Sequence, residues 1–196
     1  MKTIIRLRFL CALFLLVSGC APEFGLTMRP PSVPEDTAIL SQGSAVSALR
    51  VRIGAFDDAR PSKTIAVVDG REIPSQGSVG APVQQGFEQY WRDSGVRVVQ
   101  RDAPIIDGEV VEWRVKVSPD FPSSEAIAFA KIKLRLKDSE YHLIYTASFN
   151  GEASVSHPFL DEDQVRDVLG QAMGSAIRVA VEEESLLEAL KRGRIE

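Results

Sequence analysis

The residue with the clearest chemistry in this 196-residue chain is Cys20, which follows two distinctive segments. Residues 1–8 carry three basic side chains and no acid, and residues 9–17 contain no charged side chain. This apolar run is too short to cross a hydrocarbon core about 30 Å thick, but it has the length of a signal-peptide core. Ser18 and Gly19 are small enough for a peptidase cleft, so we predict cleavage between Gly19 and Cys20. The Cys20 thiol would then be the site of covalent modification.

The segment from Leu16 to Cys20, Leu-Val-Ser-Gly-Cys, resembles the bacterial lipobox. The resemblance implies lipidation of Cys20 with three acyl chains, palmitate among them. Each buried CH₂ group contributes about 0.8 kcal/mol, so two or more chains make a membrane anchor stable. Ala21 stands where an Asp retains enterobacterial lipoproteins in the inner membrane, which implies an outer-membrane anchor and a domain facing the periplasm. The residues alone leave open a plain secretory signal with a chance cysteine.

Charge balance argues against one class of partner, and cysteine content argues against a disulfide. The chain has 23 basic and 27 acidic residues, and loss of the predicted signal leaves 20 against 27, a net charge of −7. Such a chain lacks the basic footprint of nucleic-acid-binding proteins, so no nucleic-acid partner is expected. Cys11, the other cysteine, lies in the predicted signal, so we expect no disulfide in the mature chain. No cofactor is expected either.

Two other groups of polar residues could do chemistry. Asp57, Asp58 and Arg60 end a predicted strand, but Ca²⁺ takes six to eight oxygen ligands and two carboxylates supply too few. We interpret them as a structural turn motif, with Asp58 bound to Arg60 or to backbone amides. His142 and His157 lie in no zinc-binding spacing, and neither a Gly-x-Ser-x-Gly motif nor a phosphate loop occurs. The sequence predicts no catalytic, cofactor-binding or metal-binding residue, and hence a non-enzymatic protein.

A basic stripe favours a binding function. Alternate residues of one predicted strand are basic in an otherwise acidic chain: Lys131, Lys133, Arg135 and Lys137. The functional interpretation is a contact for an anionic glycan, a lipid headgroup or an acidic protein. The alternative is a solvated sheet face with cross-strand ion pairs, in which lysine also discourages edge pairing.

The domain organisation follows from composition. Residues 21–44 are rich in Pro, Gly, Ser and Thr and show no apolar periodicity, which predicts a flexible tether over 20–44 after the signal peptide at 1–19. Residues 45–196 are predicted to form a single α+β periplasmic domain, with no internal repeat.

The elements of this domain follow from apolar spacing. Alternation and turn signals predict strands at 48–56, 64–68, 71–74, 96–99, 111–117, 130–137 and 143–149. Helical spacing predicts one helix from Gly80 to Gly95 and a second that starts at Asp161 and is interrupted near 182–184. Because each long strand has one apolar and one polar side, we expect an α+β fold, an antiparallel β-sheet with two main helices packed on one face.

Several of these features, in this order, resemble the YajG-like bacterial lipoproteins. They are the lipobox, the strand ending in Phe56-x-Asp58-x-Arg60, the helix closing on Trp91–Gly95, and the Tyr145–Phe149 strand that runs into an amphipathic helix. The resemblance extends over nearly the whole chain. It implies an envelope address and an α+β fold, and it brings no catalytic residue.

Together these features predict a lipid-anchored periplasmic domain that binds an envelope protein or glycan. One alternative is a hydrolase, which would place a histidine beside a serine and an acid in a cleft. Another is a lipid-binding or transport accessory protein, which would hold a large apolar cavity between the sheet and the helices. Each alternative has a geometric condition that a structure can meet or fail.

Overall fold

The structure is a computed structural model that describes residues 26–27, 29–31, 49–68, 70–118 and 123–193. Gly19, Cys20, the predicted signal peptide and most of the predicted tether lie outside the described residues. In chain order the described elements are β1 (Leu26–Thr27), β2 (Arg50–Asp58), β3 (Thr64–Val68), β4 (Arg71–Gln76), α1 (Gly80–Asp93), β5 (Arg97–Val98), β6 (Ile105–Ser118), β7 (Ser124–Lys137), β8 (Leu143–His157), α2 (Glu162–Glu182) and α3 (Glu184–Arg192).

The three longest strands form an antiparallel meander. β7 pairs along its whole length with β6 on one edge and with β8 on the other, and among the described strands β8 pairs only with β7. At about 3.3 Å per residue, the 14 residues of β7 make this part of the sheet roughly 43 Å long. We call the end that carries the β7–β8 connection, residues 138–142, the turn end. The opposite end, where β6 finishes and α2 begins, is the α2 end.

The other edge of β6 is shared by two shorter strands, both parallel to it. β2 pairs with the first half of β6, and β3 pairs with the second half. β5 continues the sheet beyond β2 in parallel, and β4 followed by β1 continues it beyond β3. The sheet is therefore mixed, because these short strands add parallel pairs to the predicted antiparallel meander.

The hairpin predicted around residues 69–70 is confirmed. Val68 pairs with Arg71, and Gly70 has a φ of +74°, the left-handed backbone that such a short turn requires. β3 and β4 therefore run in opposite directions from this turn, which lies at the α2 end of the sheet.

The helices pack on one face of the sheet. α2 lies on β8, β7 and β6, while α1 lies on β2 and β5 and touches α2. A capping box starts α2: Asp161 accepts from the Gln164 amide at 2.8 Å, and the Gln164 side chain accepts from the Asp161 amide at 3.0 Å. Glu183, in extended conformation, separates α2 from α3 at the predicted interruption. The predicted α+β class, with helices on one face, is confirmed.

None of the described helices is both long enough and apolar enough to cross a membrane.

The layer between sheet and helices is anchored by Trp113. Its side chain is 1% exposed, and its Nε1 donates to the carbonyl oxygen of Leu169 in α2 at 3.0 Å. Trp91 of α1 is fully buried, and the Phe56 and Phe87 rings stack with centroids 5.0 Å apart. These contacts join both helices to the sheet, so the tryptophans belong to the core.

β8 and α2 approach each other closely at Gly151. A Cβ placed on this glycine would lie 2.1 Å from the carbonyl oxygen of Ala172 and 2.4 Å from the backbone nitrogen of Ala176. Only glycine fits here, because the atoms in the way belong to the helix backbone. The small side chains of β8 and α2 thus set the distance between these two elements.

Part of the predicted tether lies against the domain. Leu26 is 3% exposed, and β1 pairs in parallel with the end of β4. Pro31 is buried against Gly86 of α1, where an added Cβ would lie 2.4 Å from the proline Cγ. Burial of the apolar surface of Leu26 and Pro31 stabilises this placement, and the tether over 20–44 stays a prediction. Where the domain begins also stays a prediction.

Candidate functional site

The predicted basic stripe lies on the face of the sheet that is opposite to the helices. β7 alternates along its length, with its even-numbered residues from 126 to 136 buried under the helices. The odd-numbered residues therefore point to the other face, which we call the open face. Lys131, Lys133, Arg135 and Lys137 all lie on it, in a row along β7.

Two members of this stripe are neutralised by carboxylates of β6. Arg135 donates to Asp107 at 2.6 Å and to Glu109 at 3.1 Å, and Lys137 donates to the other oxygen of Asp107 at 2.6 Å. Asp57 lies 4.0 Å from Arg135. The hydrogen bond to Asp107, aided by these nearby negative charges, raises the pKa of Arg135. This half of the stripe is an ion-pair network with little net positive charge.

Lys131 and Lys133 form no ion pair with any residue of the described ranges. The β6–β7 register places Lys131 opposite Glu112 and Lys133 opposite Glu109. Glu112, however, accepts from Arg114 at 2.6 Å, and Glu109 binds the guanidinium described above. A guanidinium presents a rigid fork of donors to a carboxylate, whereas an ammonium is a mobile and strongly hydrated point charge. The arginines therefore hold the carboxylates, and the two ammonium groups stay available to an external anion.

Polar side chains of β8 flank these lysines. Asn150 lies opposite Lys131 and Ser148 lies opposite Lys133, and both side chains are exposed on the open face. An amide and a hydroxyl can donate to the same oxygen atoms that an ammonium attracts. We call Lys131, Lys133, Ser148 and Asn150 the lysine patch, the part of the open face best equipped to bind an anionic group.

Asp58 and Arg60 of the predicted turn motif meet at the end of β2. Arg60 is 7% exposed, and its Nε and Nη2 donate to the two oxygens of Asp58 at 2.9 and 3.1 Å. Nη1 also donates to the Trp113 carbonyl at 3.4 Å, and Nη2 to the Ser75 hydroxyl at 2.9 Å. This geometry ties β2, β4 and β6 together. Asp57, in contrast, points toward the stripe described above.

We expect Asp58→Asn to lower stability mainly at neutral pH. The hydrogen bonds from Arg60 hold the pKa of the Asp58 carboxyl well below its ordinary value, despite the opposing effect of partial burial. Its charge therefore stabilises the fold fully above the unfolded pKa of about 3.9, and this contribution is lost as the pH falls below that value. Urea unfolding should show a wild-type-to-variant difference that is large at pH 7 and smaller at pH 3.

The control for this prediction is Lys63→Ala. Lys63 donates to the same carboxylate at 2.6 Å, but its side chain is exposed, so its removal should cost less than about 1 kcal/mol. A difference between wild type and Asp58→Asn that stays constant from pH 7 to pH 3 would contradict the assigned role of the carboxylate.

The two histidines do not meet the geometric condition for a hydrolase. His142 Nδ1 lies 3.3 Å from Asp138 and 3.6 Å from Glu140, and His157 Nδ1 lies 2.7 Å from the Phe159 carbonyl oxygen. Both rings are exposed, and neither contacts a serine hydroxyl within the described part of the chain. The backbone amide of His142 and then that of Glu140 donate to Asp138 and lower its pKa, which stabilises the turn.

A metal site and a lipid-binding cavity are two further kinds of functional site that the structure can contain. The described residues contain no group of three or more His, Cys, Asp or Glu that could hold a metal ion. A cavity of about 330 Å³ lies at the turn end between β8 and α3, and another of about 200 Å³ lies at the α2 end. The centre of the layer between sheet and helices is filled by Trp113, Leu169 and Met173, each at most 1% exposed. The condition for a lipid carrier with a central cavity is therefore not met there.

Sequence reasoning missed the carboxylates that neutralise half of the stripe. Asp107 and Glu109 precede the strand predicted at 111–117, whereas β6 already begins at Ile105. A signal was present, because these acids alternate with Ile106, Gly108 and Val110. The glycine in that series obscured the apolar alternation.

Comparisons with solved structures find bacterial proteins of similar fold. A crystal structure of a Xanthomonas campestris protein of the family DUF330 matches with a TM-score of 0.56 at 14% identity, covering 87% of this chain and 100% of that one. A minor lipoprotein from Acinetobacter baumannii matches with a TM-score of 0.43 at 10% identity, covering 71% and 92%. A lipoprotein from Neisseria meningitidis matches with a TM-score of 0.36 at 11% identity, covering 69% and 100%.

No protein-family model matches the sequence, and a comparison with curated proteins finds no match. The Xanthomonas protein shows that this α+β architecture occurs in DUF330, and at 14% identity the similarity concerns the fold. The fold and the site thus define an α+β domain with a helix-covered face and an open polar face. The resemblance to YajG-like lipoproteins stays a prediction.

Proposed function

We propose that this chain is a bacterial envelope lipoprotein that binds an anionic partner through the lysine patch. In this proposal lipid on Cys20 anchors the chain in the outer membrane, and the domain faces the periplasm. The partner is an envelope protein or a glycan, and the domain catalyses no reaction. The YajG-like resemblance supports the same assignment.

The observation that carries the binding function is the pair of ammonium groups on the open face. Lys131 and Lys133 keep their charge free of the described carboxylates, while the neighbouring Arg135 and Lys137 do not. A domain with this acidic balance gains little stability from two unpaired ammonium groups side by side. They can attract an anion by local charge even though the chain as a whole is negative.

Photo-crosslinking in cells tests this function. A photoreactive residue at Glu152, which is exposed on the open face next to Asn150, should capture a specific envelope partner. The double substitution K131E/K133E should reduce the crosslinked product at least tenfold, because reversing two charges replaces attraction by repulsion. Mass spectrometry of the product then separates a protein partner from a glycan.

The matched control is K191E/R192E, which reverses two exposed basic residues of α3, away from the open face. It changes net charge by the same amount and should leave the product unchanged. Equal yields in the two double variants, or no specific partner at all, would remove the support for binding through the lysine patch.

A further inference from the structure

The α2 end of the sheet carries apolar surface that the fold leaves uncovered. The cavity there, of about 200 Å³, is lined by Asp161 and Glu162 and, for the larger part, by apolar residues: Leu26, Val68, Ile73, Val117, Leu160 and Val165. Phe159 lies next to Leu160 in the β8–α2 connection and is 84% exposed. A single exposed apolar residue is ordinary, but a phenylalanine beside an apolar cavity makes a continuous apolar patch.

The direction of β1 shows from which side the chain reaches this patch. β3 is parallel to β6 and ends at the α2 end, so β4 runs away from that end. β1 is parallel to β4 and therefore also runs away from the α2 end. The N-terminal side of Leu26 points toward the α2 end, and Leu26 itself lines the cavity.

The length of chain before Leu26 limits where the membrane can be. Five residues lie between Cys20 and Leu26, and the six Cα–Cα steps span at most about 20 Å when fully extended. Leu26 pairs with Ser75, which the strand registers place level with Trp113. The α2 end of β6 at Ser118 therefore lies roughly 17 Å away at about 3.3 Å per residue. A lipid on Cys20 can thus bring a bilayer to the α2 end while β1 stays paired, and the direction of β1 favours this end over the turn end.

The charges at the α2 end permit such an approach. Asp161 caps α2, while Glu162 and Asp163 both pair with Arg166, and Asp163 also pairs with Arg29 at 3.3 Å. Two guanidinium groups thus face three carboxylates, which leaves one net negative charge in this cluster, and a bilayer of zwitterionic lipid repels it little. The residues just named carry no excess of basic charge that would attract anionic lipid, so docking would depend on apolar contact.

We propose that the α2 end docks on the surface of a lipid bilayer, with Phe159 inserted at the boundary of headgroups and acyl chains. This inference rests on the proposed anchor at Cys20 and adds an orientation to it. The bilayer covers the apolar cavity, and the turn end points away from the membrane. The open face then stands upright beside the bilayer, accessible to a partner in the periplasm.

A fluorescent label on the full lipidated chain tests this orientation. The mature chain is expected to have no thiol besides the lipidated Cys20, so Phe159→Cys and Ser139→Cys each introduce a single reactive thiol. Each variant is labelled with an environment-sensitive fluorophore and reconstituted into phosphatidylcholine–phosphatidylethanolamine vesicles. In the presence of lipids that carry a spin-label quencher, emission from position 159 should fall at least twofold.

The label at Ser139, in the turn end, should keep its emission under the same conditions. Neither position is buried, so both variants keep the fold. A chain that floats with the vesicles but shows no quenching at 159, or equal quenching at 139, would overturn the docking orientation and leave the anchor intact. A chain that does not float with the vesicles, like a Cys20→Ala control, would overturn the anchor and this inference with it. High salt should not reduce the quenching.

Discussion

Replacing Trp113 by alanine is expected to lower the free energy of unfolding by about 3–5 kcal/mol. Trp113 is buried where β6, the Arg60 cluster and α2 meet, and its indole binds the Leu169 carbonyl. The substitution removes this contact and leaves a cavity that the surrounding sheet and helix cannot fill completely. Because small domains have a total stability of only about 5–15 kcal/mol, the change approaches global unfolding. Urea unfolding followed by circular dichroism measures it.

The second buried tryptophan provides a control for the hydrogen bond. Trp91 Nε1 has no hydrogen-bond partner among the described residues, whereas Trp113 Nε1 has one. Trp113→Phe should therefore cost about 1 kcal/mol more than Trp91→Phe, since only the first substitution removes a hydrogen bond. If Trp91→Phe is the costlier change, the bond to Leu169 does not contribute as proposed.

Replacing Gly151 by valine is expected to cost about 3 kcal/mol, at the upper end of the usual range for overpacking. The new side chain would meet the backbone of Ala172 and Ala176, which cannot rotate away as a side chain can. α2 would have to move off β8, breaking contacts along the helix. In a domain of about 150 residues this corresponds to a fall in Tm of roughly 10 °C, which thermal unfolding detects.

Ser154→Val is the matched control on the same strand. Ser154 is exposed on the open face, where valine meets no helix and has a favourable strand propensity. Its effect should stay within about 0.5 kcal/mol. If Gly151→Val and Ser154→Val had equal effects, the cause would be strand propensity rather than the close approach of α2.

Much of the fold was predictable because long strands with one wet side show a period of two. The prediction fails where that period is interrupted. In β6 the register shifts between Val110 and Glu112, so the buried series Ile106–Val110 continues at Trp113 instead of Glu112. An extra residue in a strand moves every later side chain to the other face. A strand read from Val111 onward therefore misses the first half of β6.

The second half of β8 shows a different limit. The strand continues to His157, eight residues beyond its predicted end at Phe149. Its core-facing positions there include Gly151 and Ala153, which have little apolar surface to produce a pattern. Small residues occur because α2 lies close above them, and that distance is a property of the packed fold. Hydrophobic periodicity does not contain this information.

The position of the proposed binding site was predictable from the sequence, but its distribution of charge was not. Alternation along β7 was sufficient to place four basic side chains on one face. Their pairing depends on the register with β6, which brings Asp107 beside Arg135 across 28 positions of sequence. A one-residue change in the β6–β7 register would exchange the partners, and no local sequence pattern specifies this register. The division into neutralised and free cations therefore emerged only from the structure.

One edge of β8 pairs with no other described strand, and this gives the proposed orientation a second consequence. This edge presents backbone donors and acceptors along 15 residues, without any Lys, Arg or Pro that would discourage strand addition. Antiparallel addition of a second copy requires the two chains to lie head to tail. Chains that dock on one bilayer by the same end all stand the same way up, which prevents this encounter. Membrane attachment would thus protect the chain from aggregation, and a chain prepared without its lipid would lose that protection.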